Sequence, residues 1–177
     1  MGTPDFALPS LRELEKNFDL TAVITQPDRR AGRGRKLTPP PVKRTAQSLD
    51  VASYQPESLY EFEIQTILSD MDLDLIVVAA FGQILPREVL AIPRKGCLNV
   101  HASLLPRWRG ASPINAAILH GDRESGVTIM KMDAGLDTGP ILKQRKTIIR
   151  PDDTAGSLFN RLSRMGAEVL VEAIPPY

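Results

Sequence analysis

At 177 residues the chain has the size of one domain with a substantial core, and its 42% apolar content with mixed charges excludes a disordered polypeptide. A single cysteine, Cys97, rules out an intrachain disulfide and a CxxC-type metal site, and no apolar run reaches the roughly 20 residues that span a membrane. The net charge of +1 hides an asymmetry: Arg29, Arg30, Arg33, Arg35, Lys36, Lys43 and Arg44 share one stretch with a lone acid, Asp28, which points to a polyanionic partner. With no signal-peptide pattern, the expectation is a cytoplasmic, metal-free protein.

In chain order, Gly2-Thr-Pro-Asp-Phe reads as a turn entering a helix, with Leu8, Leu11 and Leu14 on one face up to about Asn17. Leu20 to Thr25 reads as a strand, Gln26 to Pro41 as a long loop, and Pro41 to Leu49 as a helix. A weak strand follows at Val51 to Tyr54, then a helix over about Glu57 to Asp70. The run LDLIVVAAF, Leu73 to Phe81, has the pattern of a central parallel strand covered on both faces, and another helix starts near Pro86. Cys97 to Val100 is a short apolar strand. Ser112-Pro113 can cap and begin a helix that Gly121 stops. GVTIMKM and GPILKQRKTII read as two strands around the loop Asp133 to Gly139, adding an antiparallel edge. Asp153 or Thr154 could cap a final helix carrying Leu158, Leu162, Met165 and Val169. Alternating strands and helices imply an α/β fold with a largely parallel sheet, which binds ligands beyond the carboxyl ends of its strands.

Asn99 and His101 sit two apart at such an end, so both side chains point to one face. Asn offers amide donors to a developing oxyanion, and His can donate to the same oxygen or move a proton, which suits acyl-type transfer. The alternative is a pair of polar residues finishing a strand. Asp137 in AGLDTGP is the candidate third member, because a carboxylate can orient an imidazole and support its protonated form; it and Asp133 could equally be turn residues beside glycine. His120 ends a predicted helix and is taken as structural. Trp108, between two arginines, could stack on a ligand or anchor its loop. The basic stretch could be a solvated connection, but its length and its Gly and Pro content suit phosphate contacts. Neither GxGxxG nor GxxxxGK[ST] occurs.

Five segments together resemble the folate-dependent formyltransferases. They are GTPDFA at Gly2 to Ala7, TQPDRRAGRGRKLTPPPVK at Thr25 to Lys43, AAFGQILP at Ala79 to Pro86, NVHASLLPRWRGASPI at Asn99 to Ile114, and GVTIMKMDAGLDTGPIL at Gly126 to Leu142. The first two are similar to the branch of the family that acts on initiator methionyl-tRNA. The resemblance implies a Rossmann-like formyltransferase domain, with a mostly parallel sheet flanked by helices. It also implies transfer of a formyl group from 10-formyltetrahydrofolate to the free amine of methionine on that tRNA. Asn99 and His101 would stabilise the oxyanion and Asp137 would orient His101. Gln83, Ile84, Leu85, Ser103, Leu104, Leu105, Pro106, Met132 and Asp133 would line the folate site. Arg33 would lead the tRNA contacts, supported by Arg29, Arg30, Arg35 and Lys36.

The same resemblance carries expectations about extent. Residues 1–177 correspond to the catalytic domain, without the apolar first strand that precedes GTPDFA in the family and without its C-terminal tRNA-binding barrel; the full-length form is expected to be a monomer. Two competitors remain in view: formyl transfer to a small amine, either glycinamide ribonucleotide or an amino-sugar nucleotide, and a non-catalytic RNA-binding fragment.

Overall fold

A computed structural model of the protein describes residues 1–32 and 34–177. A 3-10 turn, Asp5–Ala7, runs into helix α1, Leu8–Asn17, with Pro9 in the first turn, where a missing N–H costs little. Strand β1, Val23–Ile24, is followed by a hairpin of β2, Arg29–Ala31, and β3, Lys36–Thr38, then by helix α2, Pro41–Ser48. Next come β4, Ser53–Tyr54, α3, Phe62–Asp70, β5, Ile76–Val78, and α4, Arg87–Ala91. Strand β6, Cys97–His101, leads to α5, Pro113–Leu119, and the long strands β7, Glu124–Lys131, and β8, Ile141–Ile148, precede α6, Ala155–Ala173.

The α/β alternation is as the sequence pattern predicts, with differences that have physical causes. The expected strand Leu20 to Thr25 forms a ladder only at Val23–Ile24, parallel to β4. The apolar run Leu73 to Phe81 does so at Ile76–Val78, with a further bridge at Ala79. Met1 and Gly2 lie between these two edges: the Met1 nitrogen donates to the Val77 carbonyl at 2.6 Å, Gly2 N–H to Ile24 at 3.0 Å, and Ala79 N–H to the Met1 carbonyl at 2.9 Å. Only that far do β1 and β5 share a neighbour. Farther along, Leu20, Ala22, Leu73 and Leu75 instead line a groove of about 670 Å3. Within the long loop after Gln26, the antiparallel hairpin pairs Arg29 with Thr38 and Arg30 with Leu37.

The main sheet has the order β5-β6-β7-β8. Strands β5 and β6 are parallel; β6 with β7 and β7 with β8 are antiparallel, so the antiparallel pairing extends one strand deeper than the two late strands alone. Both faces are covered. Leu98 and Val100 of β6 face one core with Val127, Ile129, Leu158, Leu162 and Leu170, while Cys97 joins Ile76, Val78, Leu59 and Leu68 in the other. Asn99 and His101 have the parity of Cys97, and they continue its face past the point where apolar side chains cover it.

Helix α6 lies against β7 and α1. Thr154, not Asp153, is its N-cap: Thr154 and Ser157 form a reciprocal capping box, while the Asp153 carboxylate pairs with Arg161. Ser112 takes the N-cap position of α5 but makes no side-chain cap bond. Gly166 lets α6 approach β6 closely, since a Cβ there would sit 2.7 Å from the Val100 Cγ1.

Leu162 is fully buried between helix and sheet. Leu162→Ala is expected to cost about 2–5 kcal/mol in urea unfolding, and Thr154→Ala about 1 kcal/mol through loss of the cap.

Candidate active site

The end of β6 and the loop between β7 and β8 bring together three residues far apart in sequence. Asn99 Nδ2 donates to Asp137 Oδ1 at 3.2 Å, and Asp137 Oδ2 lies 3.6 Å from His101 Nδ1. The same Oδ2 accepts the Gly110 N–H at 2.8 Å. Asp137 adopts a left-handed backbone, φ +51°, which Asp tolerates better than most residues, and Gly110 has φ +90°, where glycine is favoured. His101 is 6% exposed, so its ring is held by protein rather than by solvent.

The other imidazole nitrogen identifies the tautomer. His101 Nε2 is 2.9 Å from the Trp108 carbonyl. A carbonyl oxygen only accepts, so Nε2 carries a proton and Nδ1 is the nitrogen that gains or loses one. A neutral ring would turn a bare lone pair toward the Asp137 carboxylate, whereas a protonated Nδ1 makes an ion pair with it. The Trp108 carbonyl thus orients the ring and leaves Nδ1 facing the Asp137 carboxylate.

Trp108 reaches this position through a left-handed backbone, φ +59°. For a bulky side chain that conformation costs on the order of 1–2 kcal/mol and needs support from its surroundings. Upstream, Thr128 Oγ1 accepts the Leu105 N–H at 3.1 Å and donates to the Ser103 carbonyl at 2.7 Å, while Ser103 Oγ donates to the Arg107 carbonyl at 2.6 Å. Trp108 itself is an anchor rather than a free stacking platform. Its indole N–H donates to Asp122 at 2.6 Å, its ring lies 4.5 Å from that of His120, and the Arg107 guanidinium sits 4.3 Å above it. His120, whose Nδ1 also lies 2.9 Å from the Ala116 carbonyl, has the structural part expected of it.

Asn99, His101 and Asp137 open onto a cavity of about 820 Å3, walled by Phe81, Ile84, Leu85, Met130, Met132 and Phe159 among others. Gln83 and Asp133 also line it. The Gln83 side chain is occupied, accepting the Leu59 N–H and donating to the carbonyls of Pro56 and Glu57, and Asp133 accepts from Gly135 N–H and Thr138 Oγ1 as a turn residue. Ser103, Leu104, Leu105 and Pro106 do not line the cavity, contrary to expectation. The chain turns away from the cavity after Ala102, so Ser103 and Leu105 are buried under Thr128 and Gln144, and Leu104 packs against Gly126. The sequence offered Trp108 as a stacking or anchoring side chain, but the parts played by its carbonyl, the Gly110 N–H and Asp122 carry no distinguishing pattern.

The sequence profile of the formyl transferase family matches residues 3–174. This chain belongs to that family. A methionyl-tRNA formyltransferase of Halorhodospira halophila is 58% identical over 175 residues, covering 98% of this chain and 56% of the relative. One of the same name from Xylella fastidiosa is 56% identical over 173 residues, with the same coverage. Among solved structures, the phosphoribosylglycinamide formyltransferase of Streptococcus pneumoniae has the same fold, with a TM-score of 0.81 at 24% identity over 98% of this chain and 94% of that one. The chain spans about half the length of the curated relatives it matches.

In this formyl transferase chain the segment leading into the basic hairpin contacts a residue of the cavity. Gln26 Nε2 contacts the carbonyl of Phe81, a cavity residue, and Gln26 Oε1 accepts from Arg29. Asp28 holds the hairpin's base, accepting from Lys43 and Gln55, and those two bonds keep its carboxyl below its ordinary range. Lys43 is thereby committed to structure, while Arg29, Arg30, Arg35 and Lys36 are exposed. Arg33 lies outside the described residues. Among the described residues no cluster of His, Cys, Asp or Glu is placed to hold a metal ion, and no helix is long and apolar enough to cross a membrane.

Cys97, below the site on the same face of β6, is 1% exposed, and burial pushes its thiol up from 9.0 to about 12. A raised thiol pKa favours the folded state at low pH, and that contribution is lost as pH rises from 9.0 toward about 12. Alkylation of Cys97 near pH 8 is expected to run at least about 100-fold slower in the folded protein than in urea, which timed iodoacetamide labelling with mass spectrometry will measure.

Proposed function

We propose that the protein formylates the free α-amine of methionine on initiator methionyl-tRNA, using 10-formyltetrahydrofolate as donor, with residues 3–174 forming its catalytic domain. The observation that carries this reading is the convergence of Asn99, His101 and Asp137 at one end of a cavity whose other walls are apolar. The cavity's volume and aromatic and aliphatic lining fit a reduced pterin with its attached ring, between Gln83–Leu85 and Met132–Asp133. When bound, the folate supplies the formyl carbon, and its departing nitrogen takes up a proton.

The chain's own residues divide the remaining work. Asn99 uses one amide N–H on Asp137 and has a second for the formyl oxygen as negative charge develops there. His101, its Nε2–H fixed on Trp108, presents Nδ1 toward Asp137 and the cavity, so a protonated Nδ1 can donate to the same oxygen. Asp137 stabilises that proton and receives, through water, the one shed by the attacking amine, which passes on to the departing folate nitrogen. The amine must be neutral to attack, and the apolar walls disfavour its charged form.

The choice of acceptor rests on the names of the relatives and on the hairpin. Arg29, Arg30, Arg35 and Lys36 stand exposed on the hairpin that follows Gln26, itself bonded to the cavity residue Phe81, and would meet the phosphates at a tRNA end. Arg33 belongs to the same run of sequence and is proposed to join them. The single buried thiol fits a cytoplasmic setting.

Asn99→Ala and His101→Ala in the full-length protein are each expected to lower kcat for methionyl-tRNA formylation at least about 100-fold while thermal unfolding stays cooperative; undiminished turnover in either would overturn the assignment. Arg30→Ala is expected to reduce the slope of log affinity for tRNA against log salt by about 1 without altering calorimetric binding of a stable folate analogue.

A further inference from the structure

The segment Arg107–Gly110 touches the catalytic residues at two points. The Trp108 carbonyl meets His101 Nε2 at 2.9 Å, and the Gly110 N–H meets Asp137 Oδ2 at 2.8 Å. Both contacts are backbone contacts, so their geometry depends on what holds this segment from behind. The bonds of Ser103, Thr128 and Gln144 fix the chain as far as Arg107. Beyond it, Trp108 is in the left-handed region, which this bulky residue does not prefer, and its side chain leads away from the cavity to a single carboxylate.

That carboxylate is Asp122, in the turn after α5. Its Oδ2 accepts from Arg107 Nε at 2.9 Å and from the Trp108 indole N–H at 2.6 Å, and its Oδ1 accepts from Arg107 NH2 at 2.6 Å. The Arg107 guanidinium and the His120 ring both lie against the Trp108 indole. One side chain thus grips two consecutive residues of the strained segment on the side away from the reaction.

We propose that Asp122 is a positioning residue: by gripping Arg107 and the Trp108 indole, it holds the Trp108 carbonyl on His101 Nε2 and the Gly110 N–H on Asp137. His101 then has its proton assigned to Nε2 before substrate arrives, and Nδ1 is left as the nitrogen that works with Asp137. The charged and titratable groups around this chain of contacts are Arg107 and His120 beside Asp122, and Asp137 facing His101. The kinetic consequence rests on the formyl-transfer reading; the tautomer consequence does not.

The test uses the full-length protein with 15N-labelled histidine and reads the His101 ring by long-range proton–nitrogen correlation. In the wild type Nε2 keeps its proton across the titration and the change falls on Nδ1. In Asp122→Ala the neutral ring is expected to populate both tautomers, and kcat to fall at least about tenfold with the KM of each substrate within about twofold. Asp122→Asn, which still offers an oxygen to the indole, is expected to restore most of both, and Trp108→Phe, which lacks the indole N–H, to reproduce the tautomer mixture. A folded Asp122→Ala protein with an unchanged Nε2–H signal overturns the proposal. Should that variant fail to fold, an unchanged signal in Trp108→Phe does so. A tautomer shift in the variants of a protein that formylates nothing would leave the latch standing and remove the functional reading instead.

Discussion

Strand β6 is pinned on both edges, parallel to β5 and antiparallel to β7, and the position of the site follows from that register. Side chains alternate across a strand, so a slip of one residue would drive Asn99 and His101 into the core of Leu158 and Leu162 and expose Leu98 and Val100. Burial of those two apolar side chains therefore fixes where the polar pair points. Helix α6 reinforces the choice through Gly166, which admits Val100 where a larger residue would push the helix away.

A second constraint acts at the strand's end, where one carboxylate gathers donors from two separate loops. Asp137 takes the Asn99 amide and the Gly110 N–H and stands beside His101 Nδ1. Two left-handed residues, Trp108 and Asp137, face each other across the imidazole, and the bulky Trp108 needs external contacts to hold that conformation. The contacts differ in kind: Asp137 is held by the groups it serves, whereas Trp108 is held by Asp122 on its far side. The arrangement leaves one nitrogen of His101 on a backbone carbonyl and the other facing a carboxylate.

The basic hairpin joins the same framework through short polar links. Asp28, Lys43 and Gln55 tie its base down, and Gln26 connects it to Phe81 at the cavity wall. Gln26 thus links the base of a charged hairpin to the wall of an apolar cavity.

Much of this was legible in the sequence. Apolar runs at β5 and β6 announced a buried sheet, helical spacing located α1 and α6, and a polar pair two apart at the end of β6 marked the site, because side-chain periodicity is a local property. Asp137 was legible as a candidate third member or a turn residue, and resemblance across five segments added formyl transfer as the expected reaction. The strand limits were not legible, since pairing requires a partner: Leu20 to Ala22 read as strand but face a groove. Nor was the fate of Ser103 to Pro106, which lie next to His101 in sequence yet turn under Thr128 and Gln144. The sequence by itself determined that Asn99 and His101 would point to one face at the end of β6. Only the tertiary structure decided which nitrogen of His101 is free to act, because that depends on a carbonyl, an indole and an aspartate brought together by folding rather than by proximity along the chain.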